Sequence, residues 1–239
     1  MRIVACLNGT LRPGAHPTLP VSAGQLATDA QAAVAAGATE VHLHPRDERG
    51  EQALEPQVLG PVLKQVRAAV PEAAIDVTTS LAAEPDSWRR YDLVGRWGAL
   101  PDSATVDIDE PGSVEVVRLL VDRRIRVRAG LPTVDAARIL ATMSLEVSSV
   151  VLRPQERSLS EAQRTVNQIE QVLDRGKVQV PRLLHGRDDT AWPLLDQAAA
   201  AGYDLRIGLE DTRYGPEGGE ARDNANLVRM AVSRMREPA

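Results

Sequence analysis

Two histidines, His42 and His44, stand two positions apart in the short apolar stretch 40–44 and could together bind a metal ion. Successive side chains of a β-strand point to opposite faces, so a strand here directs both imidazoles to the same side. Neighbouring imidazoles supply half of the four ligands that zinc takes in many proteins. The same spacing also fits two hydrogen-bonded histidines at a strand end, so a metal site requires a further ligand.

The chain alternates apolar and amphipathic segments from end to end, and this pattern predicts which elements position the histidines. Strands are predicted over 3–7, 40–44, 74–78, 104–108, 125–129, 149–152, 182–185 and 205–209. Helices are predicted over 23–36, 56–70, 84–97, 112–123, 134–143, 160–175, 190–200 and 222–236. The strands are almost continuously apolar, as expected of strands that helices cover on both faces. Eight strands in strict alternation with eight helices predict one α/β domain over residues 1–239, a closed (β/α)₈ TIM barrel.

In such a barrel the reactive side chains lie at the carboxyl ends of the strands and in the loops that follow. All four histidines meet this condition, since His16 follows the first strand, His42 and His44 lie on the second, and His185 ends the seventh. The other polar residues at predicted strand ends include Thr78, Thr79, Asp107, Glu210 and Asp211. His16 lies in a proline-flanked loop and could simply be exposed.

Glu210 is the candidate for a third metal ligand. Barrel closure places the eighth strand beside the first, one strand removed from the second, so Glu210 can point inward at the level of the two histidines. Two imidazoles and one carboxylate form a three-ligand site with an open position, which is typical of catalytic zinc. Glu210 and Asp211 could instead cap a helix, and Arg206 could be either a carboxylate clamp or a buried ion-pair partner.

Composition restricts the possible partners and location. The net charge of −5 argues against nucleic acid, because phosphate binding needs a basic surface. The sequence has no run of 18 apolar residues, so we expect no membrane span. Cys6 is the sole cysteine, which excludes an intrachain disulfide and fits a reducing compartment, so we expect a cytoplasmic protein. Cys6 lies inside the first strand and is interpreted as a core residue rather than a nucleophile.

The chain resembles the β-keto acid cleavage enzymes in motifs near both of its ends. These motifs are Asn8-Gly9, Val41-His42-Leu43-His44-Pro45-Arg46-Asp47, Arg206-Ile207-Gly208-Leu209-Glu210-Asp211 and Asp223-Asn224-Ala225. The resemblance implies a (β/α)₈ barrel with one Zn²⁺ per chain held by His42, His44 and Glu210. It also implies condensation of a β-keto acid with acetyl-CoA, followed by cleavage to acetoacetate and a new acyl-CoA. Homo-oligomers are implied as well.

The resemblance also assigns roles to other residues. Asp211 corresponds to the catalytic carboxylate, paired with Arg206, and Thr78 stands where the family usually has a serine that holds the substrate carboxylate. The predicted substrate-binding residues are Thr78, Thr79, Asp107 and His185. The chain departs from the family at Leu11 and Arg12, where longer members carry an acidic residue, at Asp107 in place of Asn, and at Arg128 in place of Glu.

Two other functional classes are compatible with a His-x-His pair in a barrel. Metal-dependent hydrolases of the amidohydrolase type carry the pair on strand 1 and further histidines on strands 5 and 6, where this sequence has none. A barrel of the same family that binds metal without turnover is the other alternative, suggested by Leu11 and Arg128.

Overall fold

Eight parallel strands close into a barrel in chain order in the computed structural model, which describes residues 1–236. The strands are β1 (Ile3–Cys6), β2 (Glu40–Leu43), β3 (Ala74–Thr78), β4 (Ser103–Asp107), β5 (Arg126–Leu131), β6 (Ser149–Leu152), β7 (Arg182–Leu184) and β8 (Asp204–Ile207). Parallel pairing of β8 with β1 completes the ring. The (β/α)₈ prediction is therefore confirmed; of the range 1–239 given for the domain, residues 237–239 lie outside the described part.

A helix follows every strand. The helices are α1 (Ala23–Ala35), α2 (Pro56–Ala69), α3 (Ser87–Gly95), α4 (Ser113–Asp122), α5 (Val134–Met143), α6 (Leu159–Arg175), α7 (Ala191–Ala200) and α8 (Asn224–Arg236). A 3₁₀ turn, Asp188–Thr190, precedes α7. Among the helices that the structure describes, none combines the length and the apolar character that crossing a bilayer requires.

The end of β8 differs from the predicted strand 205–209, which is two residues too long. Gly208 comes so close to β1 that a Cβ there would lie 2.0 Å from the carbonyl oxygen of Cys6. The next amide, that of Leu209, donates to Oδ1 of Asn224 at 2.7 Å instead of continuing a strand ladder. A side chain from the start of α8 thus ends β8, and the two acidic residues that follow lie in a turn.

Helix α3 is shorter than the predicted range 84–97 because of its capping residue. Asp86 accepts hydrogen bonds from the backbone N–H groups of Trp88 and Arg89, each at 2.9 Å, and this N-cap starts the helix at Ser87. The other predicted bounds differ from the structure by one or two residues at several ends. The largest difference among the remaining strands is at β5, which continues to Leu131.

The barrel interior contains a small apolar cluster that is separate from the main core between strands and helices. Val4, Cys6, Val151 and Leu183 form this cluster. The thiol of Cys6 is fully buried, and burial raises its pKa well above 9.0, so it stays protonated at neutral pH. This location agrees with the interpretation of Cys6 as a core residue.

Candidate metal centre and active site

His42, His44 and Glu210 bring three ligand atoms together at the carboxyl ends of β2 and β8. The two Nε2 atoms lie 3.2 Å apart, and they lie 3.6 Å and 3.7 Å from the two carboxylate oxygens of Glu210. Tetrahedral ligands at zinc bond lengths are roughly 3.3 Å from one another. The described residues therefore fit a Zn²⁺ ion with small side-chain adjustments, and the set leaves a fourth position for water or substrate.

Hydrogen bonds on the opposite side of each imidazole decide which nitrogen can bind a metal. Nδ1 of His42 donates to Oδ2 of Asp76 at 2.6 Å, and Nδ1 of His44 donates to Oε1 of Gln52 at 2.5 Å. Each Nε2 thus keeps its lone pair, and both lone pairs are available to the same ion. Burial lowers the pKa of His44 to about 4, so this imidazole is neutral at physiological pH and ready to bind.

Glu210 reaches the histidines from the turn after β8. Its Oε1 accepts a hydrogen bond from Nη2 of Arg206 at 2.5 Å, whereas its buried Oε2 has no hydrogen-bond partner among the described residues. Burial raises the pKa of Glu210, but the charge of Arg206 acts against it, and the pKa lies well below 4.5. An ionised, buried oxygen without a donor is costly, and a cation at this point would remove that cost.

The Asn8-Gly9 pair positions two of the three ligands. Asn8 holds the backbone of His44 by accepting its N–H at 3.0 Å and donating Nδ2 to its carbonyl at 2.9 Å. Gly9 has φ +51°, and a Cβ at this position would lie 2.2 Å from Cγ of Glu210. The glycine is therefore needed both for its backbone conformation and for the space that the carboxylate ligand occupies.

Asp211 lies next to the candidate ligands as a second, differently tuned carboxylate. Its Oδ1 accepts hydrogen bonds from Nε and Nη2 of Arg206 at 3.3 Å and 3.1 Å, and Nδ1 of His185 lies 3.3 Å from the same oxygen. Its Oδ2 is buried without a described partner. Burial raises the pKa of Asp211 to about 6, with Arg206 acting against this shift and Glu210 adding to it. A carboxylate with such a pKa suits proton transfer near neutral pH.

An ion-pair cluster inside the barrel supports His42 from below. Nη2 of Arg128 lies 2.8 Å from Oε1 of Glu40, and Nη1 lies 3.7 Å from Oδ2 of Asp76. Thr105 also donates its hydroxyl to Oδ2 of Asp76 at 2.6 Å. Burial raises the pKa of Asp76, but Arg128 and the bonds from His42 and Thr105 hold it below 3.8, so the acceptor for His42 is a carboxylate.

Asp76 and Gln52 are partners of the histidines that are not predicted from the sequence. The available signal was the polar residue Asp76 within the apolar segment 74–78, since a charged side chain in a doubly covered strand needs a buried partner. Arg128, identified as a departure from the family pattern, is such a partner. No comparable pattern marks Gln52, which comes from the loop after β2.

The predicted substrate residues on β3 are buried but differ in what their hydroxyls do. Thr79 donates its hydroxyl to the carbonyl of Thr105 at 2.9 Å, which ties β3 to β4. Thr78 accepts the N–H of Ser80 at 3.1 Å, and its own O–H proton remains available to a ligand. The substrate-binding roles of both threonines stay predictions.

Asp107 and His185 occupy the rim as predicted, and His16 differs from its interpretation as an exposed residue. Asp107 pairs with Nη2 of Arg153 at 2.9 Å. His16 is buried, and its Nε2 lies 2.9 Å from the carbonyl oxygen of Ala221, so it joins the loop after β1 to the segment before α8. His16 therefore joins two segments of the barrel rim and is not one of the three clustered ligands.

Fold and site together define this chain as a (β/α)₈-barrel protein with a buried three-ligand candidate metal site at the carboxyl ends of its strands. The sequence model of the beta-keto acid cleavage enzymes matches residues 1–143 and 128–238, and the chain belongs to this family. The resemblance seen in the sequence is thereby confirmed.

Solved structures with the same fold include two of ObcA. The apo structure of ObcA is 15% identical with a TM-score of 0.70, and the alignment covers 91% of this chain and 61% of that one. The ternary complex of ObcA with a C4-CoA adduct and oxalate is 17% identical with a TM-score of 0.71, covering 91% and 63%. This chain thus spans about three fifths of the length of ObcA.

A thiamine phosphate pyrophosphorylase from Pyrococcus furiosus is 10% identical with a TM-score of 0.60, and the alignment covers 98% of this chain and 95% of that one. At these identities the likenesses establish the fold alone. No curated protein sequence is significantly similar to the chain.

Proposed function

We propose that this protein is a zinc-dependent β-keto acid cleavage enzyme. In the proposed reaction the α-carbon of a β-keto acid, after losing a proton, attacks the thioester of acetyl-CoA and releases CoA thiolate. The thiolate then attacks the original keto carbon, and cleavage of the carbon–carbon bond gives a new acyl-CoA and the enolate of acetoacetate, which takes the proton back. The observation that carries the proposal is the convergence of His42, His44 and Glu210 beside Asp211, in a chain of this family.

The ligand set suits a Lewis acid with one open position. Zn²⁺ held by His42, His44 and Glu210 would polarise the keto carbonyl and stabilise the negative charge that proton loss creates. The protein contributes two imidazoles and one carboxylate, and hydrogen bonds to Asp76 and Gln52 orient the imidazoles.

Asp211 is the proposed base that accepts the α-proton. Its unpartnered Oδ2 is free to take a proton, while Arg206 holds Oδ1 and fixes the orientation of the carboxylate. Burial lowers the pKa of Arg206, but the charge of Asp211 outweighs it and keeps the guanidinium ionised. No nucleophilic side chain is required, since the carbanion and CoA thiolate are the nucleophiles.

Thr78 and His185 are the proposed contacts for the rest of the substrate. The free O–H of Thr78 can donate to the substrate carboxylate. His185 donates Nδ1 to the carbonyl of Gly186 at 3.0 Å, so its buried Nε2, without a described partner, can accept a hydrogen bond. Burial lowers the pKa of His185 well below 6.5, which agrees with a neutral acceptor.

The proposal of a CoA thioester as co-substrate is also supported by a structural neighbour. ObcA, which shares the barrel, has been solved with a C4-CoA adduct and oxalate together. A protein that contains this barrel thus binds a CoA adduct and a small carboxylate together. Self-association into a homo-oligomer stays a prediction of the family resemblance.

The test is incubation of the zinc-loaded protein with ¹³C₂-labelled acetyl-CoA and a panel of β-keto acids, followed by mass spectrometry. We expect acetoacetate that carries both labelled carbons and an unlabelled acyl-CoA whose acyl group depends on the β-keto acid. Absence of both products from every β-keto acid, in protein with one zinc per chain, would contradict the proposal. Release of free acetate instead would indicate a hydrolase.

A further inference from the structure

Two arginines flank His185 on the side of the barrel mouth formed by β6 and β7. These strands are neighbours, with Leu152 paired to Leu184, and the N–H of His185 donates to the carbonyl of Leu152 at 3.1 Å. Arg153 is the first residue after β6, and His185 is the first residue after β7. The two side chains therefore leave the strands at the same level of the rim.

Arg187 belongs to the same part of the rim. It lies two residues beyond His185, and the N–H of the next residue, Asp188, donates to the carbonyl of Asp211 at 2.8 Å. This bond holds the Arg187 loop against the turn that carries the proposed catalytic base. The charges of Arg153 and Arg187 both contribute, after burial and Arg206, to the lowered pKa of His185, as expected of cations close to the imidazole.

The two arginines have hydrogen-bond donors that the protein does not use. Arg153 pairs with Asp107 through Nη2, but its Nε is buried without an acceptor. Nε of Arg187 is also buried without an acceptor, and this arginine forms no ion pair with any described residue. A guanidinium offers five donors in a planar fork that matches a carboxylate. Unused buried donors on two neighbouring cations indicate an anionic ligand.

We propose that Arg153 and Arg187 form a second anion subsite, which takes the distal carboxylate of a β-keto dicarboxylic acid. The inference rests on the proposed function and specifies its substrate class. In a closed eight-stranded barrel, β7 lies across the mouth from β3, and the candidate ligands lie on β2 and after β8. Thr78 on β3 and the two arginines thus lie on opposite sides of the barrel mouth, and a bound dicarboxylate would extend between them beside Asp211.

Substrate length favours a carboxylate over the phosphates of CoA at this subsite. The arginines lie beside Asp211, where bonds are made and broken, whereas the phosphates of CoA are separated from its sulfur by the whole pantetheine arm. A second carboxylate only a few carbons from the keto group can reach the arginines while the keto group lies beside Asp211.

The test compares 3-oxohexanedioate with 3-oxohexanoate, which differ by the distal carboxylate. We expect kcat/KM to favour the dicarboxylate by about 100-fold, because the monocarboxylate leaves both guanidinium groups without an anion. Arg187→Met, which breaks no ion pair of the protein, should reduce this preference, the ratio of the two kcat/KM values, to about 10-fold or less. Arg157→Met removes the same charge from an exposed residue of the loop after β6 and should keep the preference.

Two outcomes would overturn the subsite. The wild type could show no preference between the two acids, or Arg187→Met could keep the full preference. If Arg187→Met keeps the preference and also raises the KM for acetyl-CoA, but not for its 3′-dephospho form, the arginine binds the phosphate instead.

Calorimetry separates this inference from the proposed function. If neither acid is turned over, titration with glutarate and with butyrate still measures the subsite. Binding of glutarate that Arg187→Met abolishes would support the subsite although the proposed reaction had failed. Equal binding of glutarate by both proteins would reject it.

Discussion

The Nδ1–H of His42 donates to Oδ2 of Asp76 at 2.6 Å, which leaves Nε2 as the nitrogen of this imidazole that can bind a metal. Asp76 is in turn fixed by the hydroxyl of Thr105 and the charge of Arg128. A carboxylate behind a ligating histidine orients the ring and increases its basicity. The affinity of the proposed site for zinc therefore depends on residues in the interior of the barrel.

Asp76→Asn should weaken zinc binding by about 10- to 100-fold, the usual effect of removing such a partner. The amide oxygen of Asn can still accept from His42, but it lacks the charge that strengthens the bond. Competition with a chromophoric chelator measures the affinity. Asp122→Asn, in the exposed last turn of α4, is the control and should bind zinc as the wild type does. Equal affinity in both variants would show that Asp76 does not act through His42.

Glu210→Gln should remove stoichiometric zinc, because it replaces the ionised ligand of the set by a neutral amide. The substituted side chain keeps its length and can still accept from Arg206, so the fold should persist. Metal content by mass spectrometry, together with the circular dichroism spectrum, tests both statements. Glu51→Gln changes an exposed glutamate and serves as the control. A full zinc complement in both Glu210→Gln and His44→Ala would refute the three-ligand assignment.

Asp211→Asn should separate metal binding from turnover. Asparagine cannot accept the α-proton, so kcat should fall by about 10²- to 10⁴-fold, the range typical of a lost general base. Zinc affinity should stay close to that of the wild type, because Asp211 is not a proposed ligand. Acetoacetate formation and metal content are measured on the same preparation. Undiminished turnover would remove Asp211 from proton transfer.

Gly9→Ala should displace Glu210, because the added Cβ would lie 2.2 Å from Cγ of that residue. We expect zinc affinity to fall by at least about 10-fold, an effect comparable with loss of a residue that orients a ligand. Gly14→Ala is a matched control in the same loop, since Gly14 also has a positive φ, +84°, but no atom lies within 4 Å of its Cβ position. Both variants incur the backbone strain of about 1–2 kcal/mol, and Gly9→Ala alone should lose zinc.

The barrel and the three candidate ligands follow from patterns that a sequence displays directly. Alternating apolar strands and amphipathic helices predict the fold, and the strand order then places His42, His44 and Glu210 at one rim. The end of β8 could not be predicted, because it depends on the side chain of Asn224, 15 residues from the amide that it accepts. The turn that carries Glu210 is thus set by a contact between distant segments.

The contacts that support the site cannot be predicted from the sequence for a related reason. Arg128 and Glu40 lie on β5 and β2, and their ion pair forms across the barrel interior. In the sequence Arg128 was a departure that suggested lost activity, whereas in the structure it neutralises buried carboxylates. Strand order can be predicted from alternation, but which inward side chains meet across a barrel depends on register and tilt.

Asp29 lies on α1, away from the candidate metal centre, and should make the free energy of unfolding depend on pH. Burial raises the pKa of Asp29 to about 7 from 3.8, although Asn224 donates to its carboxylate at 2.6 Å and acts against the shift. At a pH between 3.8 and about 7, Asp29 carries a proton in the folded protein but not in the unfolded chain. The resulting stabilisation is complete below pH 3.8 and is lost as the pH rises through 7.

The free energy of unfolding from urea titrations should therefore decrease from about pH 5 to about pH 8, by at most about 1.4 kcal/mol per pH unit from this group. In Asp29→Asn the amide oxygen still accepts from Asn224 and carries no titrating proton, so this contribution should vanish. The difference between the two proteins removes the contribution of all other titrating groups. A difference that stays constant across this range would mean that Asp29 is ionised in the folded protein at about pH 5.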